Sequence, residues 1–566
     1  MIPPTATKAA PDAVGPEPTS DLAAEKTPEQ APRRPTAGRR AMLSRPESMV
    51  RVVSHLVIWS VVWVPTVTEL SKGWRPLFDD ATISERAYQV FSLHSPLVGP
   101  YSQATTEGSH VVFGLGPLLF WLLAVPVHID PAQGALWGVA IWCAVALSAA
   151  AEAAWSRVGW IGCAVVAAVV VDLAWTEPVV FGHLLWNPSV GLIFFVVTVV
   201  LASVVAMGSL GWWPVLVLTA SVAAQCHLVF ALTAVALALL APVVGLVRHG
   251  RTDRFRWLWA GVGVGVICWI APLMQQITSH PGNLSVLMHT DRTHPGLGIG
   301  WGLRILATSG SPHPIWLTRS PTGFFPTLVL VHGHSSEGGV VVLGLIVAVT
   351  VLAWIFGRRN LAALGAVAVI CSAATVLTFT TFPASNVLLL TYLHVLWWVP
   401  GILLWIVAIW AVVELLRSLA LRIPPGREGW WPSRVTEWWR RAAAAGVVAA
   451  LLIAGFFGAR ALVVPTSKLA VDWNAVAQVN RIAPVVESHV PRGPVVVDFT
   501  GVGGNLSDDG ILLGVAWRLT ADGWHAVLPG PLGAATGSVA PAGSRWPAVV
   551  VTFRRGSEQA TVARTR

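Results

Sequence analysis

Apolar residues along this chain gather into unbroken blocks divided by short polar or Arg-bearing stretches, from about residue 51 to residue 464. A block of about 20 residues, rising 1.5 Å per residue as a helix, matches a hydrocarbon core roughly 30 Å thick. The recurrence of such blocks predicts an α-helical polytopic membrane protein. Two other regimes flank them. Residues 1–50 are rich in Pro, Ala, Thr and Glu and predict a disordered tail. Residues 465–566 return to short soluble-type periods. There "PVVVDFTG" (494–501) reads as a strand, "LSDDGILLGVAWRLTADG" (506–523) as a capped amphipathic helix, and "WHAVLP" and "PAVVVTF" as further strands. That pattern predicts a small α/β domain.

Charge turns the blocks into a topology. Arg33, Arg34, Arg39, Arg40, Arg45 and Arg51 precede or enter the first block. Further basic residues stand at Arg157, at Arg248, Arg251, Arg254 and Arg256, at Arg358 and Arg359, and at Arg417, Arg422, Arg427, Arg434, Arg440 and Arg441. The positive-inside rule puts all of these on the cytoplasmic side. Spans at 442–463, 391–416, 361–381, 338–357 and 257–276 then alternate without conflict. The block from 212 to 247 would be roughly 54 Å long as one helix, nearly twice the core. It must break, and "AAQCHLVF" (223–230) is the natural place. Spans at 189–209, 158–176 and 133–155 continue the alternation. Counting "VVFGLGPLLFWLLAVPV" (111–127) would force residues 71–110 onto both sides, so it is expected to lie on or dip into the outer interface. About eleven spans result, with the N-terminus cytoplasmic and the small α/β domain extracytoplasmic. The large outer loops are 71–132 and 277–337.

Composition narrows the class. The 566 residues are 54% apolar and only 11% charged. Thirty Trp fit a chain with many membrane interfaces. The rarity of Lys beside Arg and the dominance of Ala, Val and Gly suggest a GC-rich bacterial genome, and the expected location is a bacterial plasma membrane. All five Cys fall in apolar blocks without CxxC spacing, which argues against a disulfide framework or zinc site. The net charge of +9 reports topology and not nucleic-acid binding. No Gly-rich phosphate loop, GxSxG or HExxH sequence is present, so a soluble nucleotide enzyme is excluded.

In so charge-poor a chain, adjacent Asp79 and Asp80 in "LFDDATISE" (77–85) stand out. Asp80 could cap the helix that follows, and Thr82 to Glu85 has capping-box spacing. One acid would suffice as a cap, and a carboxylate at the mouth of a membrane cavity is where a general base for a hydroxyl acceptor would sit. The loop at 277–337 carries Arg292, Arg304 and Arg319 with six His: His280, His289, His294, His313, His332 and His334. Arg outside the membrane runs against the positive-inside bias, and an Arg/His-bearing loop suits a phosphate. His332 and His334 are the best metal candidates, but no helical H-x3-H spacing supports them. No cofactor is expected to be required, and a divalent metal stays an open alternative. His183, Asn187, Gln225 and His227 are polar groups at outer span ends, where such residues face a cavity or bond a neighbouring helix.

These features together resemble the GT-C superfamily of membrane glycosyltransferases. Asp79 and Asp80 stand where that family has an acidic residue or pair after its first span. "SHVVFGLGPLLFWLLAVP" (109–126) stands where its Pro-containing juxtamembrane helix would be, although His110 is separated from Gly116 and Pro117 by an insertion. "WNPS" (186–189), "QCHLVFAL" (225–232), "PLMQQITSHPGNLSVL" (272–287) and "VVVDFTG…GILLGVAWRLTADGW" look like segments of actinobacterial GT-C membrane proteins. The resemblance covers about residues 50–530. It implies inverting transfer of a hexosyl or pentosyl group from a polyprenyl-phosphate donor to an envelope glycan or glycolipid on the outer face. Asp79 would be the base, with Asp80 second. Arg292, His289, His294 and Arg304 would hold the donor phosphate, and His110, His183, Asn187, Gln225 and His227 would line the cavity. The competing readings are a flippase or transporter of a lipid-linked sugar, and a non-enzymatic scaffold for envelope assembly. A transporter would favour charges at mid-span, and Glu152, Asp172 and Glu414 lie near span ends.

Overall fold

The computed structural model describes residues 45–102, 111–178, 182–248, 255–289, 296–317, 334–381, 396–420, 433–463, 473–500, 506–538, 548–553 and 560–565. The first half runs α1 (Arg45–Ser71), α2 (Phe78–Tyr88), α3 (Leu118–Ile129), α4 (Gly134–Val158), α5 (Trp160–Thr176), α6 (Asn187–Ala206), α7 (Trp213–Cys226) and α8 (Leu228–Arg248). There follow α9 (Phe255–Thr278), α10 (Asn283–His289), α11 (Gly298–Gly310), α12 (Ser336–Ile355), α13 (Arg359–Thr381), α14 (Trp398–Ala420) and α15 (Ser433–Val463). The C-terminal region contains α16 (Trp473–His489), β1 (Pro494–Thr500), α17 (Leu506–Ala521), β2 (His525–Val527), α18 (Gly530–Thr536), β3 (Ala548–Phe553) and β4 (Ala560–Thr565).

The protein is a helical polytopic membrane protein. Among the described residues nine helices, α1, α4, α6, α8, α9, α12, α13, α14 and α15, are long and apolar enough to cross a bilayer. Apolar α3, α5 and α7 are shorter. The centre of the bundle is α6, whose most apolar window is 94% buried within the protein. Lipid offers no hydrophobic drive between helices, so close packing must come from small residues. Gly191 of α6 illustrates this: a Cβ there would lie 2.8 Å from the Phe230 ring of α8.

The long block of residues 212–247 breaks at a single residue. His227 is extended (φ −153°, ψ 132°), ending α7 at Cys226. Its Nδ1 then accepts the Val229 N–H at 3.3 Å, satisfying one of the amides that open α8. Residues 111–127, expected to be one interfacial helix, divide in two. Residues 112–114 form a short antiparallel ribbon with 99–102, a bend follows at Leu115 before Gly116 and Pro117, and the helix starts only at Leu118. Glycine and proline disfavour helix entry earlier, and the ribbon finds other partners. Gly99 N–H donates to Gly114 O at 3.0 Å, and Gly114 N–H to Pro100 O at 2.7 Å.

In the C-terminal region the sheet order is β2-β1-β3-β4. β1 is parallel to both β2 and β3, while β3 and β4 are antiparallel. The predicted strands and helix at 494–501, 506–523, 524–529 and 547–553 all fall on these elements.

The C-terminal region meets α2 along a seam made close by glycine. The Phe78 ring rests against Gly510 of α17, where any Cβ would collide with it. One turn later, a Cβ on Gly514 would sit 2.8 Å from Leu77 Cδ2 and 2.9 Å from Val479 Cγ2. Phe78 itself has φ 49°, a left-handed conformation that costs an L-residue about 1–2 kcal/mol. The seat on Gly510 holds the ring in place and so fixes the entry to α2.

Gly514→Leu is therefore expected to destabilise the seam by about 1–3 kcal/mol through overpacking. Limited proteolysis should then cut residues 473–538 faster while the long helices stay protected; equal protection of both regions would contradict the glycine-packed seam.

Candidate functional site

The acidic pair lies in the first turn of α2, where the positive end of the helix dipole favours carboxylates. The N-cap is Leu77, with no side-chain cap bond, so Asp80 does not cap the helix. The capping box is not formed either: Thr82 Oγ1 donates back to Phe78 O at 3.3 Å. Adjacent residues on a helix point about 100° apart, so the two carboxylates must have different surroundings.

Asp80 is 4% exposed. Its Oδ2 lies 3.0 Å from His183 Nε2. Burial opposes a charge on His183, but the Asp80 carboxylate bonded to it, helped by Glu69 and Asp79, outweighs burial and raises the imidazole pKa to about 9. His183 is thus an imidazolium at neutral pH. Asp80 Oδ1 is buried with no hydrogen-bond partner among the described residues.

Asp79 is exposed to a cavity and accepts a hydrogen bond from Trp186 Nε1 at 3.0 Å. Protein crowded around it raises its pKa, and the Asp80 charge raises it further, against the Trp186 bond and the His183 cation. Both partners come from one short loop, "HLLW" (183–186). His183 and Trp186 are stacked, ring centroids 5.8 Å apart and 21° from coplanar. The loop acts as a clamp with one ring for each carboxylate.

The cavity beside Asp79 has a volume of about 160 Å³. Asp79, Thr82 and Ile83 of α2 form one wall, Pro100 and Tyr101 a second, and Leu513 of α17 with Leu532 and Ala535 of α18 the third. The C-terminal region thus closes the site. Its attachment is polar as well as apolar. Gln89 Nε2 donates to Thr536 O at 3.0 Å and lies 3.1 Å from Ser538 Oγ. It also bonds Glu85 Oε1 at 3.2 Å, and burial raises the Glu85 pKa to about 7. Arg86 Nη1 donates to Gln89 Oε1 at 3.0 Å. Burial lowers its pKa to about 10, which leaves it charged at neutral pH.

The other sequence candidates take different places. Gln225 is fully buried; its Oε1 accepts the Leu118 N–H at 3.2 Å and its Nε2 donates to Cys268 O at 2.8 Å. It satisfies the start of α3 and ties it to α9. Asn187 Nδ2 donates to Cys226 O at 2.9 Å, closing the end of α7, and His227 opens α8. None of these three lines the Asp79 cavity. His289 and Arg304 are exposed and do not line it either. His110, Arg292 and His294 lie outside the described residues, as do Arg319 and His332. Among the described residues no group of three His, Cys, Asp or Glu is placed to hold a metal ion.

Four contributors were missed by sequence reasoning: Trp186, Tyr101, Gln89 and Asn283. Asn283 is bonded to the ribbon behind Tyr101, accepting the Phe113 N–H at 3.0 Å and donating to Phe113 O at 3.1 Å. Only Trp186 had a local signal, the "WNPS" helix start. The rest depend on contacts between distant segments.

No protein-family model matches this chain, and no curated protein does. Among solved structures, the chain is similar to ArnT from Cupriavidus metallidurans in the apo state, at 14% identity and TM-score 0.46. The same protein bound to undecaprenyl phosphate aligns at 14% identity and TM-score 0.41. Both alignments cover 89% of this chain and 92% of the other.

Proposed function

We propose that this chain is a GT-C-type membrane glycosyltransferase that moves a sugar from a polyprenyl-phosphate donor to an envelope acceptor, with inversion. The observation that supports this most is the unequal pair on α2: Asp79 opens on a cavity, while Asp80 is buried against His183. In this reading Asp79 is the general base. It takes the proton of an acceptor hydroxyl as that oxygen bonds to the anomeric carbon, and the polyprenyl phosphate leaves with the electrons of the broken C–O bond. A raised pKa makes the Asp79 carboxylate a stronger base once ionised. The Trp186 bond and the adjacent imidazolium act the other way and favour the ionised, proton-accepting form.

Ligand pockets usually span roughly 300–1,000 Å³, so the smaller Asp79 cavity suits the reacting ends and not a whole lipid-linked sugar. The polyprenyl chain would lie along the bundle. Arg292, His289, His294 and Arg304 are the proposed contacts for the donor phosphate, reached from the loop at 277–337. With α5 and α7 counted as spans, the bundle has eleven, the N-terminal tail is cytoplasmic, and Asp79 and the α/β domain of residues 465–566 lie outside. Wild-type and variant proteins in reconstituted vesicles, given a panel of radiolabelled polyprenyl-phosphate sugars and envelope acceptors, test the reading.

Asp79→Asn should lower kcat by at least about a hundred-fold, the lower range for general-base loss, while donor binding persists. Undiminished transfer by this variant would remove Asp79 from the chemistry.

The pH profile follows from the same electrostatics. Activity should fall as pH drops and Asp79 takes up its proton. Above about pH 9 His183 loses its charge, and its effect on the Asp79 pKa is lost with it. His183→Gln removes a cation near Asp79, so the acid limb should move to higher pH; an unmoved limb would show that His183 does not tune the base.

A further inference from the structure

We infer that the segment following α2 is a lipid anchor, with Phe91 and Leu93 seated in the headgroup layer of the bilayer at the end of α2 away from Asp79. Its level follows from α1, α3 and α4. Gln133 Nε2 donates to Leu70 O at 3.3 Å, so α4 starts where α1 ends. The apolar spans of α1 and α4 each have 25 residues, a rise of about 37 Å against a hydrocarbon core roughly 30 Å thick, so their ends reach the headgroups. α3 runs antiparallel beside the first turns of α4. Trp142 Nε1 donates to Leu122 O at 2.8 Å, a Cβ on Gly138 would lie 2.6 Å from Pro126 Cβ, and one on Gly134 would meet Pro126 O. The chain of α3 therefore rises along α4 and reaches the headgroup level at His128 and Ile129. The segment after α2 joins it there. The Tyr88 ring stacks on His128 with centroids 4.5 Å apart, and the Phe91 ring lies 5.1 Å from the same imidazole.

What faces outward at this level is apolar. Phe91 is 66% exposed, Ile129 is 70% exposed and Leu93 is fully exposed. Deeper in the bilayer the exposed apolar surface continues through Val125 of α3 to Trp142 and Val145 of α4. The segment is also suited to lipid by what it omits: no Asp, Glu, Lys or Arg occurs from Ala87 to Thr106. Seating it in the interface therefore desolvates no charged side chain. Its turn meets part of its own backbone demand, since Ser92 Oγ donates to Gln89 O at 2.7 Å and accepts the His94 N–H at 3.1 Å.

Contiguous exposed apolar surface marks a place of contact, and here it is continuous with helices that already face lipid. Phe and Leu on a peripheral element enter the boundary of headgroups and acyl chains by about 5–10 Å, which matches a segment level with the ends of α1 and α4. α2 is thereby held at both ends, by the glycine seam before it and by the bilayer after it. The anchor rests on packing, exposure and sequence, and stands whether or not Asp79 is a base.

All five Cys are buried, so a nitroxide reagent is directed to an added surface cysteine. The full chain carrying Leu93→Cys or Phe91→Cys is labelled and reconstituted in phosphatidylcholine bilayers, with Ser488→Cys at an exposed position of α16 as the aqueous reference. Power-saturation EPR then reads collisions with oxygen, which concentrates in lipid, and with a water-soluble nickel chelate. The oxygen-to-nickel ratio at positions 91 and 93 should be several-fold higher than at 488. A ratio at 93 equal to that at 488 would put the segment in water and overturn the anchor. Spin–spin broadening at 93 that disappears on dilution with unlabelled protein would assign the surface to a second copy of the chain and overturn it equally. Should Phe91→Cys lower the thermal midpoint, the fully exposed Leu93→Cys carries the test alone.

Discussion

The site depends on one constraint: two carboxylates stand side by side where a membrane protein can least leave them unbalanced. Neighbouring like charges repel, and the more strongly the less water screens them. The chain resolves this with the four-residue loop at 183–186. His183 gives Asp80 a cation, and Trp186 gives Asp79 a neutral donor. The asymmetry matters more than the number of bonds. A cation on each carboxylate would have held both fully ionised and weakly basic, and a neutral donor on each would have left the repulsion intact. One of each leaves a buried ion pair and a second acid whose pKa is raised and which faces a cavity.

That arrangement needs α2 to be held in register, and the C-terminal region does this from above. Gly510 and Gly514 admit the backbone before α2 to the surface of α17, and Gln89 bonds the far end of α2 to Thr536. The same contacts bring Leu513, Leu532 and Ala535 to the wall opposite Asp79. Positioning and enclosure are therefore one structural act: loosening the seam would also open the cavity and lower the crowding that raises the Asp79 pKa.

The chain's patterning made the bundle legible and the site only partly so. Spans are announced by length and apolarity, which are local properties. The break at His227 followed from a length no bilayer could accommodate. The fate of residues 111–127 was half legible: topology removed them from the spans, but the division into ribbon and helix depends on Gln225 and Asn283, over 100 residues away. Asp79 and Asp80 were conspicuous because charge is rare here, yet their division of labour was not. Capping chemistry is local and suggested itself first; what displaced it was a histidine 103 residues later in the chain. Gln225, Asn187 and His227 were visible as polar residues at span ends, but sequence could not say that their partners are backbone groups at helix ends.

Those three residues show why polar side chains in a membrane bundle cannot be assigned to a cavity by position alone. A helix that ends inside or near the bilayer leaves unpaired amides and carbonyls, each costly away from water. The α6–α9 region contains several such ends: α7 stops at Cys226, α8 starts two residues later at Leu228, and α3 begins against them. Asn187, His227 and Gln225 each serve one of these ends. Backbone satisfaction is thus the first claim on a polar residue, and only a group left over from it is available to substrate. His183 and Trp186 stand in the loop between α5 and α6, and their rings bond carboxylates and not backbone groups at a helix end. In this fold the acidic pair is bonded by side chains that the helix ends do not need.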